Sequence, residues 1–167
     1  MRRVIFRYAA FLTVSMLPLC AQPVLNAASV LNASGYQNQL APDTVFVIFG
    51  SGLGPAAIAT ASGPNYPTSV GGTSVTFTPT TGGTAIVAGM VYSIAGQIAG
   101  LVPSSIAPGT YAVTVTYNTQ ASKPQNVTVV PRSFGIATVN SAGTGAAQAT
   151  IGNVNGESAW RVSPAAH

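Results

Sequence analysis

The chain has 167 residues, a length that suits one domain, and it carries only six basic and two acidic side chains, one histidine and one cysteine. These counts exclude an internal disulfide and a zinc centre built from several His and Cys ligands. Hydrophobic residues make up 47% of the chain and charged residues 5%, a balance that argues against a disordered polymer and for a packed core.

The N-terminus reads as a targeting segment. "MRR" with Arg7 supplies three basic residues, and the apolar run "YAAFLTVSMLPLCA" follows. That run is too short to span a bilayer comfortably, and it follows positive charge as a signal-peptide core does. The sequence therefore predicts a signal peptide over 1–21, cleaved after Ala21, and export to a secreted, periplasmic or cell-surface location. Cys20 leaves with it; the alternative of lipidation at Cys20 meets the bulky Leu19 where a small residue is wanted. The remainder keeps Lys123, Arg132 and Arg161 against Asp43 and Glu157, a net charge of +1. Without a basic stripe no nucleic-acid partner is expected, and no membrane span is expected in the mature chain. Weak charge repulsion makes self-association a reasonable expectation.

The first convincing strand is "TVFVIF", 44–49, which does not alternate and so should be covered on both faces. It runs into "GSGLGP". The glycines there read G-x-G-x-G and Pro55 follows at once, so the dinucleotide fingerprint and its helix are both missing. No acid follows Asp43 until Glu157, and no lysine is present for a phosphate loop. The segment is expected to be a turn ending a buried strand. Alanine should be costly at any of these glycines with positive φ and neutral at the others. "TSVTFTP" alternates, with Val75 and Phe77 on one face. "TTGG" reads as a turn into "TAIVAGMVYSI", and "QIAGLVP" is a short apolar run. "TYAVTVTY" is the cleanest strand: Tyr111, Val113, Val115 and Tyr117 share one face. "QNVTVV" repeats the pattern with Val127 and Val129; "SFGIATV" and "AAQATIG" are weaker candidates. No stretch carries a capped helical stripe. Short strands separated by Gly and Pro predict an all-β sandwich of about seven to nine strands over 22–156, with 157–167 as a divergent or frayed tail.

At these residues a resemblance emerges. "LAPDTVFVIFGSGLGP" and "VPSSIAPGTYAVTVTYNTQASKPQNVTVV" are similar to the opening and second half of IPT/TIG-type immunoglobulin-like domains. The likeness is closer to a C-terminal domain of many secreted acidobacterial proteins. It is carried by "LNAASVLNASGYQNQLAPDT", "YPTSVGGTSVTFTP", "YSIAGQIAGLVP" and "VTVVPRSFGIATVNSAGTGAAQA", in that order over roughly 24–150. Ala99-Gly100 stands where that family often has Asn, and "ESAWRVSPAAH" fits none of its patterns. The resemblance implies an immunoglobulin-like sandwich and supplies no catalytic residue.

Chemistry finds little support. The only histidine is His167, the last residue, so a Ser-His-Asp arrangement lacks a base. Asp43 and Glu157 are the only candidate carboxylate pair, and both read as solvated loop acids. One acid is a poor start for a calcium site. The expected catalytic residues, cofactors and metals are therefore none. Tyr36, Tyr66, Tyr92 and Trp160 lie outside the cleanest strands and are the candidate ligand-contact aromatics, although ordinary packing at the core or its rim would explain them too. The sequence thus predicts a non-catalytic structural, adhesion or interaction module of the bacterial envelope, contacting a protein, a glycan or its own kind. A carbohydrate-binding module using the exposed aromatics is the alternative.

Overall fold

The computed structural model describes residues 22–62, 65–133, 148–152 and 158–162, and only the backbone of the last two segments. The expected signal peptide, most of "SFGIATV", Glu157 and His167 lie outside these residues. Among the described residues there are strands and turns but no helix. The strands are β1 (Val24–Asn32), β2 (Gln39–Leu40), β3 (Val45–Ser51), β4 (Ala59–Thr60), β5 (Thr73–Pro79), β6 (Ile86–Val87) and β7 (Gly89–Ile94). They continue with β8 (Gln97–Leu101), β9 (Gly109–Tyr117), β10 (Gln120–Ala121), β11 (Gln125–Val129), β12 (Gln148–Gly152) and β13 (Ser158–Val162).

Two sheets form a β-sandwich. One has the order β1-β3-β8-β7-β4, the other β2-β11-β9-β5-β6, with β10 on β9. Seven of these strands have five residues or more, so the expected count describes the framework and two-residue pieces trim its edges. Most pairs are antiparallel; β2 lies parallel to β11. The orders β1-β3-β8-β7 and β11-β9-β5 match the A-B-E-D and G-F-C sheets of an immunoglobulin domain. The first strand's change of sheet, from β1 to β2, occurs across the loop from Ala33 to Asn38. The Tyr111 hydroxyl, near the start of β9, donates to the Ala107 carbonyl at 2.9 Å. That is the tyrosine corner of this fold class.

The alternating strands bury the expected faces. Val75 and Phe77 on β5, Val113 and Val115 on β9, and Val127 and Val129 on β11 are all buried. They meet Phe46 and Ile48 of β3 and Ile98 of β8 in one core. Phe77 sits edge-on to both Phe46, at 5.6 Å between ring centroids, and Tyr111, at 6.4 Å. Buried polar groups are satisfied locally: Thr73 Oγ1 donates to Leu53 O at 2.9 Å and Ser93 Oγ to Val70 O at 3.1 Å.

The "GSGLGP" loop plugs one end of this core. Leu53 is fully buried, and its amide donates to Ala95 O at 3.0 Å. Gly52 has φ +64, and a Cβ there would make only ordinary contact, with Gln22 O and Pro23 Cα at 4.0 Å. Gly50 and Gly54 have ordinary φ but are crowded. A Cβ at Gly50 would collide with the Val24 carbonyl oxygen, and one at Gly54 would lie 2.7 Å from Ser93 Oγ. The expectation that alanine is neutral wherever φ is ordinary therefore fails here, because close approach of neighbouring strands constrains the glycines too.

The strands β1 and β13 were not expected from the sequence, and β1 is the longer. Its register on β3 shifts between Leu25 and Val30, and Ala28 has φ +50. The amides freed by this bulge find a side chain: Gln125 Oε1 accepts from Ser29 N at 3.0 Å and Val30 N at 3.2 Å, while Gln125 Nε2 donates to Asn26 O at 2.8 Å. One glutamine of β11 thus ties β1 of one sheet to β11 of the other. β12 and β13 pair as a two-stranded ribbon, with Thr150 opposite Trp160. The expected division between 156 and 157 falls between these two partners.

Candidate ligand-contact face

Residues opposite each other in a ladder share a face, and faces alternate along each strand. In β3, Phe46 and Ile48 point into the core, so Val45, Val47 and Phe49 point outward. The registers carry this outer face across the sheet. Leu31 of β1 opposes Val47, Val47 opposes Ala99 of β8, and Ala99 opposes Tyr92 of β7. Alongside that row, Phe49 opposes Gln97, and Gln97 opposes Ile94. Val47 and Ala99 are buried yet do not belong to the main core, so the outer-face side chains themselves cover them.

Three of the four expected aromatics lie on this face. Tyr36, in the loop after β1, stacks on Phe49 with ring centroids 6.2 Å apart and planes 22° apart. Tyr92 is half-buried in the neighbouring row. Burial pushes its hydroxyl above the ordinary 10.0, the nearby Tyr36 adds to the rise, and a hydrogen bond with Gln97 opposes it. Tyr66 lies over the outward position of Gly89, where an added Cβ would come within 3.0 Å of Tyr66 Cβ. Gly89 opposes Leu101, which opposes Val45. Tyr36, Tyr66 and Val45 are the exposed members, at 37%, 51% and 40%. Phe49 is the member that sequence reasoning missed. The only signal for it was its position three residues after Phe46 in a strand. The fourth candidate, Trp160, is placed on β13 with its side chain outside the described residues.

Tyr36 is held by its backbone. Its φ is +52, a conformation that a bulky residue adopts at a cost. Tyr36 N donates to Asn32 O at 2.8 Å, Asn32 N to Gln37 O at 2.7 Å, and Ser34 N to Asn32 Oδ1 at 2.8 Å. Ala33 N reaches across to Val45 O at 2.9 Å. The loop is thereby fastened to β3, and the ring is set over Phe49.

Asp43 is exposed in the turn before β3 with φ +61, and its amide donates to Val102 O at 3.1 Å. Among the described residues no three His, Cys, Asp or Glu side chains gather as a metal site would need. A cleft of about 250 Å³ opens between residues 22–25 and 123–125, away from the tyrosines. Its glutamines are engaged, Gln125 with the β1 bulge and Gln22 Nε2 with the Ala121 carbonyl, and Lys123 is exposed at its rim. No helix among the described residues is long and apolar enough to cross a membrane.

No protein-family profile matches the chain, and no curated protein matches it. Among solved structures the chain is similar to a "putative bacterial DNA binding protein" from Bacteroides vulgatus, at 16% identity and a TM-score of 0.49, over 70% of this chain. It spans 50% of that protein's length.

Proposed function

We propose that this chain is a secreted, non-catalytic immunoglobulin-like module of the bacterial cell envelope, akin to IPT/TIG domains, that works by display. The sandwich is the rigid support, and the outer face of β1-β3-β8-β7 is the surface that meets another envelope component. The observation that carries this reading is the composition of that face. It gathers Tyr36, Phe49, Tyr66 and Tyr92 together with the exposed Val45. A contiguous exposed patch of aromatic and apolar side chains marks a contact surface. Support for the family likeness comes from the strand order and the tyrosine corner. The export reading rests on the basic start and apolar run of 1–21.

A charge placed on the face tests it. Tyr66→Lys should abolish binding of the protein to an isolated envelope fraction of its host, and Thr78→Lys, on the exposed side of β5 in the other sheet, should leave binding intact. Equal binding by both variants would remove the face from the proposal.

A further inference from the structure

The lining of the Tyr36 corner specifies its partner more narrowly. Tyr36 offers the ring face that is not stacked on Phe49, Gln97 an amide, and the tyrosines hydroxyls. An aromatic ring face carries negative potential and attracts polarised C–H groups, while a side-chain amide both donates and accepts. A partner that satisfies both needs C–H faces and hydroxyls together, and it needs no charge. Tyr36 is also pre-set, since its backbone hydrogen bonds and its stacking on Phe49 fix the ring before anything binds. Little side-chain freedom is then lost on binding.

We infer that the corner formed by Tyr36, Phe49, Tyr92 and Gln97 is a subsite for an uncharged pyranose unit of a neutral polysaccharide. The sugar's C–H face stacks on the open side of Tyr36, and its hydroxyls bond the Gln97 amide and the Tyr92 hydroxyl. This rests on the reading of the outer face as the contact surface and names its ligand class.

Affinity electrophoresis of the full chain through gels containing hydroxyethylcellulose, galactomannan or soluble α-glucan tests it, with carboxymethylcellulose as the charged comparator. At least one neutral polymer should retard the protein. Retardation should persist between about 0.1 M and about 1 M salt, where the Debye length falls from about 10 Å to about 3 Å. Tyr36→Ser should weaken binding about tenfold, as loss of an aromatic stack does, and Tyr36→Phe should retain most of it. Gln97→Ala and Tyr92→Phe, read beside thermal melts, keep the test valid if Tyr36→Ser fails to fold. The subsite is overturned if no neutral polymer retards the protein. It is equally overturned if the Tyr36, Tyr92 and Gln97 variants bind as the parent does, or if only carboxymethylcellulose binds and salt abolishes it. Should glycan binding fail while Tyr66→Lys still abolishes envelope binding, the contact face stands and its ligand is not a neutral sugar. Should both fail, both readings fall.

Discussion

Alanine at Gly50, Gly52 and Gly54 separates two physical constraints within five residues. At Gly52 an added Cβ makes only ordinary contacts and the positive φ alone resists it, so Gly52→Ala should cost about 1 kcal/mol. At Gly50 the new methyl meets the carbonyl of β1, and strands must part to admit it; overpacking of this kind costs about 1–3 kcal/mol. Urea denaturation should therefore rank Gly50→Ala below Gly52→Ala, and a neutral Gly50→Ala would show that the start of β1 does not lie against this loop. Tyr92 gives a second residue-scale test. Its hydroxyl titrates above the ordinary 10.0 in the fold, so the folded state holds that proton more tightly than the unfolded chain. The resulting stability is complete below pH 10 and is lost as the pH rises through the raised value. Tyr92→Phe should flatten the fall in melting temperature on the alkaline side, and an unchanged alkaline profile would remove Tyr92 as its source.

At the scale of the element, β9 carries the clearest test. Val113 is fully buried and Thr114 half-buried on the opposite face of the same strand, between β11 and β5. Val113→Asp puts an unpaired carboxylate into the core and should cost several kcal/mol, whereas Thr114→Asp should be milder. Equal melting temperatures would mean that the strand's register is wrong. The strand was legible because its side chains alternate without interruption, as do those of β5 and β11. β1 was not legible for the opposite reason. Its register shift and the αL residue Ala28 break the period of two, and the compensating Gln125 lies about a hundred residues away in sequence. The site divides in the same manner. Tyr36, Tyr66 and Tyr92 could be chosen from the sequence because they stand outside alternating runs. Their meeting on one face could not, since it depends on pairings among β1, β3, β8 and β7. Phe49 was hidden in a run that reads as buried throughout, because Val47, beside it on the outer face, is buried as well.

The whole molecule holds its two sheets together without a cross-sheet disulfide, since the described residues contain no cysteine. Immunoglobulin domains place that disulfide between strands B and F, against a tryptophan on strand C. Here β3, β9 and β5 occupy those places, and an aromatic chain spans them: Phe46 meets Phe77 edge-on, and Phe77 meets Tyr111. Phe77 touches a ring from each sheet, so its loss should loosen both at once. Phe77→Ala should cost about 3–5 kcal/mol, a large share of the roughly 5–15 kcal/mol that holds a typical domain. If the sheets depend on each other through this chain, the variant should still unfold in one step. Amide hydrogen exchange in β3 and in β9 should then rise together and by similar factors. Faster exchange confined to β5, β9 and β11, with β3 and β8 still protected, would show that the sheet bearing the tyrosine face stands without its partner and that the aromatic chain is not what couples them.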